Sequence, residues 1–156
     1  MKDNVARNLV LESPDENTHH SFSSKEFAYE IVETCEEAKG KDVAVMDVSK
    51  LFGLSDYFIV VSARSDRQVQ GIANRILGSF ISPVTLEGME KGHWVLMDFG
   101  EVVVHIFYEP LREHYDVEGL WIKAPRVTMV RDRKKGIIAK PTPLASRRTH
   151  ASVSFV

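Results

Sequence analysis

The chain has very little cysteine: Cys35 is the one thiol in 156 residues. A lone cysteine makes no intrachain disulfide framework, so the fold must rest on packing, and a reducing compartment is its natural setting. No apolar run approaches the ~20 residues that cross a bilayer. Residues 1–22 lack an apolar h-region and carry Asp3, Glu12, Asp15 and Glu16, which argues against a secretory or transit peptide. A cytoplasmic protein is expected. Missing too are the Gly-x-Ser-x-Gly elbow, the Gly-x-x-x-x-Gly-Lys-Ser/Thr loop, the Gly-x-Gly-x-x-Gly turn, and tight Cys-x-x-Cys or His-x-x-x-His spacings. Those motifs expose a nucleophile, cradle phosphate or hold zinc, so no catalytic residue, metal ligand or cofactor is assigned.

What is present is an ordinary single-domain composition, 44% hydrophobic and 27% charged. The net charge of -2 hides an asymmetry: from Ala124 onward eight Lys and Arg stand against Asp132 alone, giving that stretch +7 and the remainder -9. A basic tail on an acidic body can meet phosphate, or can simply be a solvated extension. Three regions are expected: a disordered extension over residues 1–22, a folded domain over 23–125, and a basic, disordered tail over 126–156.

Inside the domain, Ser23 and Glu26 fit a capping box, followed by Phe27, Ala28, Ile31, Val32, Cys35 and Ala38 at helical spacing, with Gly40 as the left-handed stop. Val43–Val48 and Tyr57–Ala63 read as strands. Ser65 and Gln68 cap a second helix whose stripe is Val69, Ile72, Ala73, Ile76, Leu77 and Phe80. Val84–Leu86, Trp94–Phe99 and Val102–Tyr108 are further strands, the last two joined by a tight turn at Gly100. Pro110 suits the first turn of a third helix with Leu111, Tyr115 and Leu120 facing inward. Strands apolar at successive positions are covered on both faces. The expected fold is therefore α/β, a mixed β-sheet flanked by helices.

Such a sheet is also how nucleotidyltransferases are built, and those enzymes hold metal with two carboxylates two residues apart on one strand. Asp47 has Val45 and Ser49 at those positions, so the companion carboxylate is absent, and Asp47 and Asp56 read as turn caps. His105 alternates with Val104 and Ile106 and reads as a core or half-buried histidine satisfied by a hydrogen bond rather than a ligand. Trp94 follows a glycine-containing loop, with Glu87, Glu90, Asp98 and Glu101 near it in sequence. Its ring belongs either to the core or to a binding hot spot with an acidic rim aimed at a basic partner.

An ordered set of segments carries a resemblance: Met46–Ser49, Ser55–Val60, Ser65–Val69, Glu87-Gly88, Trp94–Phe107 and Arg112–Trp121. Together they resemble the ribosomal silencing factors, the Iojap family. The resemblance implies a nucleotidyltransferase-like fold without the catalytic carboxylates, and a translational repressor rather than an enzyme. It implies binding to the large ribosomal subunit through ribosomal protein L-fourteen, a steric block to small-subunit joining, and a homodimer. By that match Trp94, Glu87, Asp98 and Glu101 are the expected partner contacts, and the tail's cations are candidates for touching ribosomal RNA. The family's Asp-Tyr-Gly-Asp turn is Asp98-Phe99-Gly100-Glu101 here, and no counterpart of the tail beyond Pro125 is expected in the family core. The alternatives are a nucleotidyltransferase-like enzyme with an atypical site and a large-subunit assembly factor.

Overall fold

Ser23 starts the first helix as its spacing predicts, its Oγ accepting the Glu26 N–H at 3.2 Å. In the computed structural model, which describes residues 22–51 and 53–143, the elements run α1 (Ser24–Glu37), β1 (Lys41–Asp47), β2 (Tyr57–Ala63), α2 (Asp66–Ser79), β3 (Thr85–Glu87), β4 (Trp94–Asp98), β5 (Val102–Tyr108), α3 (Glu109–Tyr115), α4 (Val117–Leu120), β6 (Arg126–Asp132) and β7 (Gly136–Pro141). The expected extension over residues 1–22 lies, but for Phe22, outside the described residues.

The strands form one sheet in the order β3-β4-β5-β2-β1-β6-β7. β2 and β5 pair in parallel and all other neighbours pair antiparallel, so the sheet is mixed. β2 is buried along its whole length and β5 along all but its last residue. That burial explains their unbroken apolar runs: alternate residues point to opposite faces, and each face has its own cover. On one face Ile59, Val61, Val104 and Ile106 meet Ala28, Ile31 and Cys35 of α1 and Val69, Ile72 and Ile76 of α2. On the other, Phe58, Val60, Val103 and Phe107 meet Val117, Ala124, Leu111 and Trp121.

Three local expectations are corrected. The left-handed residue after α1 is Lys39, with φ 68, not Gly40. Gly40 is required for space instead: a Cβ there would sit 2.6 Å from Val61 Cγ2 and 2.8 Å from the Cys35 carbonyl oxygen. The third helix is not continuous. Asp116 adopts φ 47, ψ 53, and its Oδ1 accepts the Gly119 N–H at 3.1 Å, so the chain breaks and restarts as α4. The break turns Val117 and Glu118 inward and leaves Leu120 outside at 77% exposure, with Tyr115 at 48%; both had been expected to face the core.

The largest correction concerns the tail. Residues 126–141 are not a disordered extension but an antiparallel hairpin that continues the sheet beyond β1. Val127, Met129, Ile137 and Ala139 alternate onto the α1 face and join its core. The basic residues among them masked this period-two pattern in the sequence. Residues 144–156 of the expected tail lie outside the described region.

Candidate functional site

The sheet face away from α1 and α2 carries a row of rings. Trp94 stacks on Phe107 at 4.8 Å between centroids and lies 4.8 Å from Tyr115 and 5.9 Å from His105. His105 leads to Phe58 at 5.7 Å, and Phe58 to Trp121 at 5.2 Å. The register makes the row. Trp94 is paired with Phe107 across β4 and β5, His105 is two residues from Phe107 on the same face, and parallel pairing brings β2 alongside. Sequence left open whether the Trp94 ring is core or surface; it is half-buried. Its inner side packs on the row, and its Nε1–H donates to His105 Nδ1 at 3.2 Å.

That bond settles the state of His105. An Nδ1 that accepts carries no proton, so the neutral ring holds its proton on Nε2. Burial pushes the imidazole down to about 4 from its ordinary 6.5. His105 is therefore the hydrogen-bonded core histidine that its strand position suggested.

The other expected contacts scatter. Glu87 is exposed at the end of β3 and faces Leu96 across the ladder, placing it on the same sheet face as Leu96 and Trp94. Gly88, at φ 89, lets that loop close on Trp94, because a Cβ there would collide with the Trp94 carbonyl oxygen. Asp98 shares the face but stands four residues along β4, about 13 Å from Trp94 at strand rise. Its Oδ1 accepts the Gly100 N–H at 2.7 Å, so one oxygen is occupied within the turn. Glu101 lies apart from the ring row. Its carbonyl oxygen accepts from Asp56 and Tyr57, and it lines a groove with Phe27, Phe80 and Phe99 at the α1 side. The structure thus brings Trp94 and Glu87 together and places Asp98 and Glu101 at the far end of the hairpin.

Sequence reasoning missed Tyr115, Leu120 and Ile122 as surface groups beside this row. All three are exposed, and Leu120 and Ile122 flank Trp121. It also missed what orients them. Arg112, 1% exposed, donates from Nε and Nη2 to both Glu118 oxygens at 2.8 and 3.0 Å, and from Nη1 to the Asp42 carbonyl and Ser62 Oγ at 2.6 and 3.0 Å. Arg126 Nη1 donates to Glu118 Oε2 at 3.1 Å. A two-pronged guanidinium–carboxylate pair inside a core holds geometry because any departure strands a charge. It joins α3, α4, β2, β6 and the start of β1, and so sets the platform that presents Tyr115 and Leu120.

No nucleophile or metal geometry accompanies the row. Cys35 is fully buried, its thiol pushed up to about 12 by burial and then by Glu36. Asp47 caps a turn, its Oδ1 accepting Ser49 N–H and Oγ–H at 3.0 and 2.6 Å. Among the described residues no group of three or more His, Cys, Asp and Glu side chains could hold a metal ion.

Fold and site together define an α/β domain, a seven-stranded mixed sheet flanked by helices, that presents an aromatic row. A family model described as "ribosomal silencing factor during starvation" matches residues 21–153, and the chain belongs to that family. The match runs through β6 and β7, so the hairpin beyond Pro125 is part of the family domain, contrary to expectation. The chain is 42% identical over 94 residues to ribosomal silencing factor RsfS of Chromobacterium violaceum, covering 58% of this chain and 77% of that one. A crystal structure of a C. violaceum protein superposes with a TM-score of 0.61 at 38% identity, over 64% of this chain and 87% of that one. Mouse "mitochondrial assembly of ribosomal large subunit protein 1" is 26% identical over 98 residues, 58% of this chain and 43% of that one.

Proposed function

We propose that this domain is a cytoplasmic translational repressor that docks on the large ribosomal subunit through ribosomal protein L-fourteen and sterically blocks joining of the small subunit. It acts without bond-making: the bound domain occupies the small subunit's path and shifts the joining equilibrium by mass action. The observation that carries the reading is the half-exposed Trp94–Tyr115 pair, seated on Phe107 and bordered by Glu87. Rigid aromatics beside an acidic group form a surface suited to a basic protein neighbour. Glu87 is the nearer acid of this surface and Asp98 stands at its distal end, whereas Glu101 opens to the α1 side and would reach a partner only past the hairpin turn. In this reading the domain acts as a homodimer, and the metal-dependent nucleotidyltransferase alternative lacks its second carboxylate.

Co-sedimentation with isolated large subunits, small subunits and joined ribosomes tests the reading. The expected result is pelleting with free large subunits and a reduced yield of joined ribosomes. Pelleting with neither subunit, together with metal-dependent nucleotide turnover, would overturn it.

The name of the mouse relative favours a second reading, an assembly factor that rides immature large subunits on the same surface. The two differ in timing. Association confined to precursor particles would select the assembly role.

A further inference from the structure

The tip of the β6–β7 hairpin concentrates positive charge on a braced turn. Asp132 pairs with Gly136 in the ladder, so the loop consists of Arg133, Lys134 and Lys135, all exposed. Asp132 Oδ1 accepts the backbone N–H groups of Lys134 and Lys135 at 2.8 and 2.9 Å, and Gly136, with φ 78, closes the turn. The one acid of the loop is thus engaged with backbone, while three cationic side chains project from a fixed base. Lys140, across from Thr128 on β7, is exposed as well. The hairpin's other cations are committed elsewhere. Arg126 is bound to Glu118, and Arg131 lies over the Tyr29 ring at 4.9 Å with Nη2 3.3 Å from Glu30.

We propose that Arg133, Lys134 and Lys135, with Lys140 behind them, grip the phosphate backbone of RNA. Two features favour RNA over other polyanions. The tip carries no apolar or aromatic side chain to enter a bilayer or anchor a protein hot spot. With no ring to stack on bases, its contact is with backbone and independent of sequence. The neighbouring α1 carries Glu33 and the exposed Glu36, which repel a broad anionic surface and confine the contact to the narrow tip.

The position of the tip gives the contact a purpose. β7 and β4 lie five strand spacings apart, which puts the hairpin about 24 Å from the Trp94 face. A protein contact at one edge of the sheet and a phosphate contact at the other fix orientation as well as affinity, since the second contact forms within one complex. This use of the tip rests on the proposed docking to the large subunit; the tip's affinity for RNA does not.

The test uses the full chain and a variant with Arg133→Ala, Lys134→Ala and Lys135→Ala combined. Because the turn is braced through backbone N–H groups, the variant should keep the wild-type melting temperature. Both proteins are titrated against isolated large subunits, against a short RNA duplex and against vesicles containing anionic lipid over a range of KCl concentrations. Losing three phosphate contacts should flatten the log affinity–log salt slope by about 2–3 and lower low-salt affinity about tenfold or more. Trp94→Ala should lower subunit affinity and leave the slope unchanged. Unchanged slopes with both RNA and subunits would overturn the proposal while leaving the docking surface standing. Loss of binding only to vesicles containing anionic lipid would assign the tip to a membrane and overturn it equally. Tip-dependent duplex binding without any subunit binding would uphold the tip and reject the proposed function.

Discussion

Trp94 Nε1–H donates to His105 Nδ1 at 3.2 Å, so an indole at the surface and an imidazole in the core hold each other in place. The bond requires neutral histidine, since a protonated ring has no acceptor to offer. With its folded value near 4 and its unfolded value near 6.5, His105 costs nothing above pH 6.5, where both states are neutral. As pH falls from 6.5 to 4 the unfolded chain takes up a proton that the native state refuses. Stability should therefore drop by about 2–3 kcal/mol over that window. Urea midpoints at pH 7.5, 5.5 and 4.5 measure this, and His105→Phe should show a distinctly smaller loss. An equal loss in the variant would assign the effect to other groups.

One substitution can separate the packing role of Trp94 from its proposed docking role. Half-buried and stacked on Phe107, its ring should contribute about 1–3 kcal/mol to stability, less than the ~3–5 kcal/mol typical of a fully buried tryptophan. Trp94→Ala should remain folded yet lose more than ~2 kcal/mol of affinity for L-fourteen. Thermal melts and direct titration with that protein measure the two losses independently. Unaltered affinity would remove Trp94 from the docking surface.

The buried Arg112–Glu118–Arg126 network predicts an asymmetry. Glu118→Leu alone leaves two guanidinium groups facing each other without a carboxylate and should cost about 3–5 kcal/mol. Adding Arg112→Met and Arg126→Leu should recover much of that loss, because no uncompensated charge remains. Chemical denaturation of the single and triple variants decides it. A triple variant less stable than the single one would mean the network contributes net stability.

Ending the chain at Pro125 should damage the fold. It removes Val127, Met129, Ile137 and Ala139 from the α1-side core and bares the edge of β1. A loss of about 3 kcal/mol or more is expected from the lost burial, with a tendency to aggregate through the open edge. Size-exclusion chromatography and thermal denaturation of the shortened chain measure both. Point changes at the hairpin tip are for this reason the cleaner probe of its cations.

Periodicity and capping chemistry are short-range, and what depends on them was legible. Ser23 and Ser65 begin their helices, Val69, Ile72, Ala73 and Ile76 are the buried stripe, and the runs at Tyr57–Ala63 and Val102–Tyr108 are doubly covered strands. The ordered segments also sufficed for the family. Tertiary packing decided the rest. Arg112 and Glu118, two charges six residues apart, meet in the core because a left-handed Asp116 folds the chain back between them. The basic residues of 126–141 masked a strand pair whose inner face becomes visible only when α1 lies against it. Trp94 and Glu101, seven residues apart, separate because a strand carries one away from the other, whereas Tyr115, twenty-one residues from Trp94, packs its ring beside it. A sequence records which residues alternate and which can cap. Which distant side chains share a face depends on strand order and on backbone breaks, whose energies are set by contacts across the whole domain.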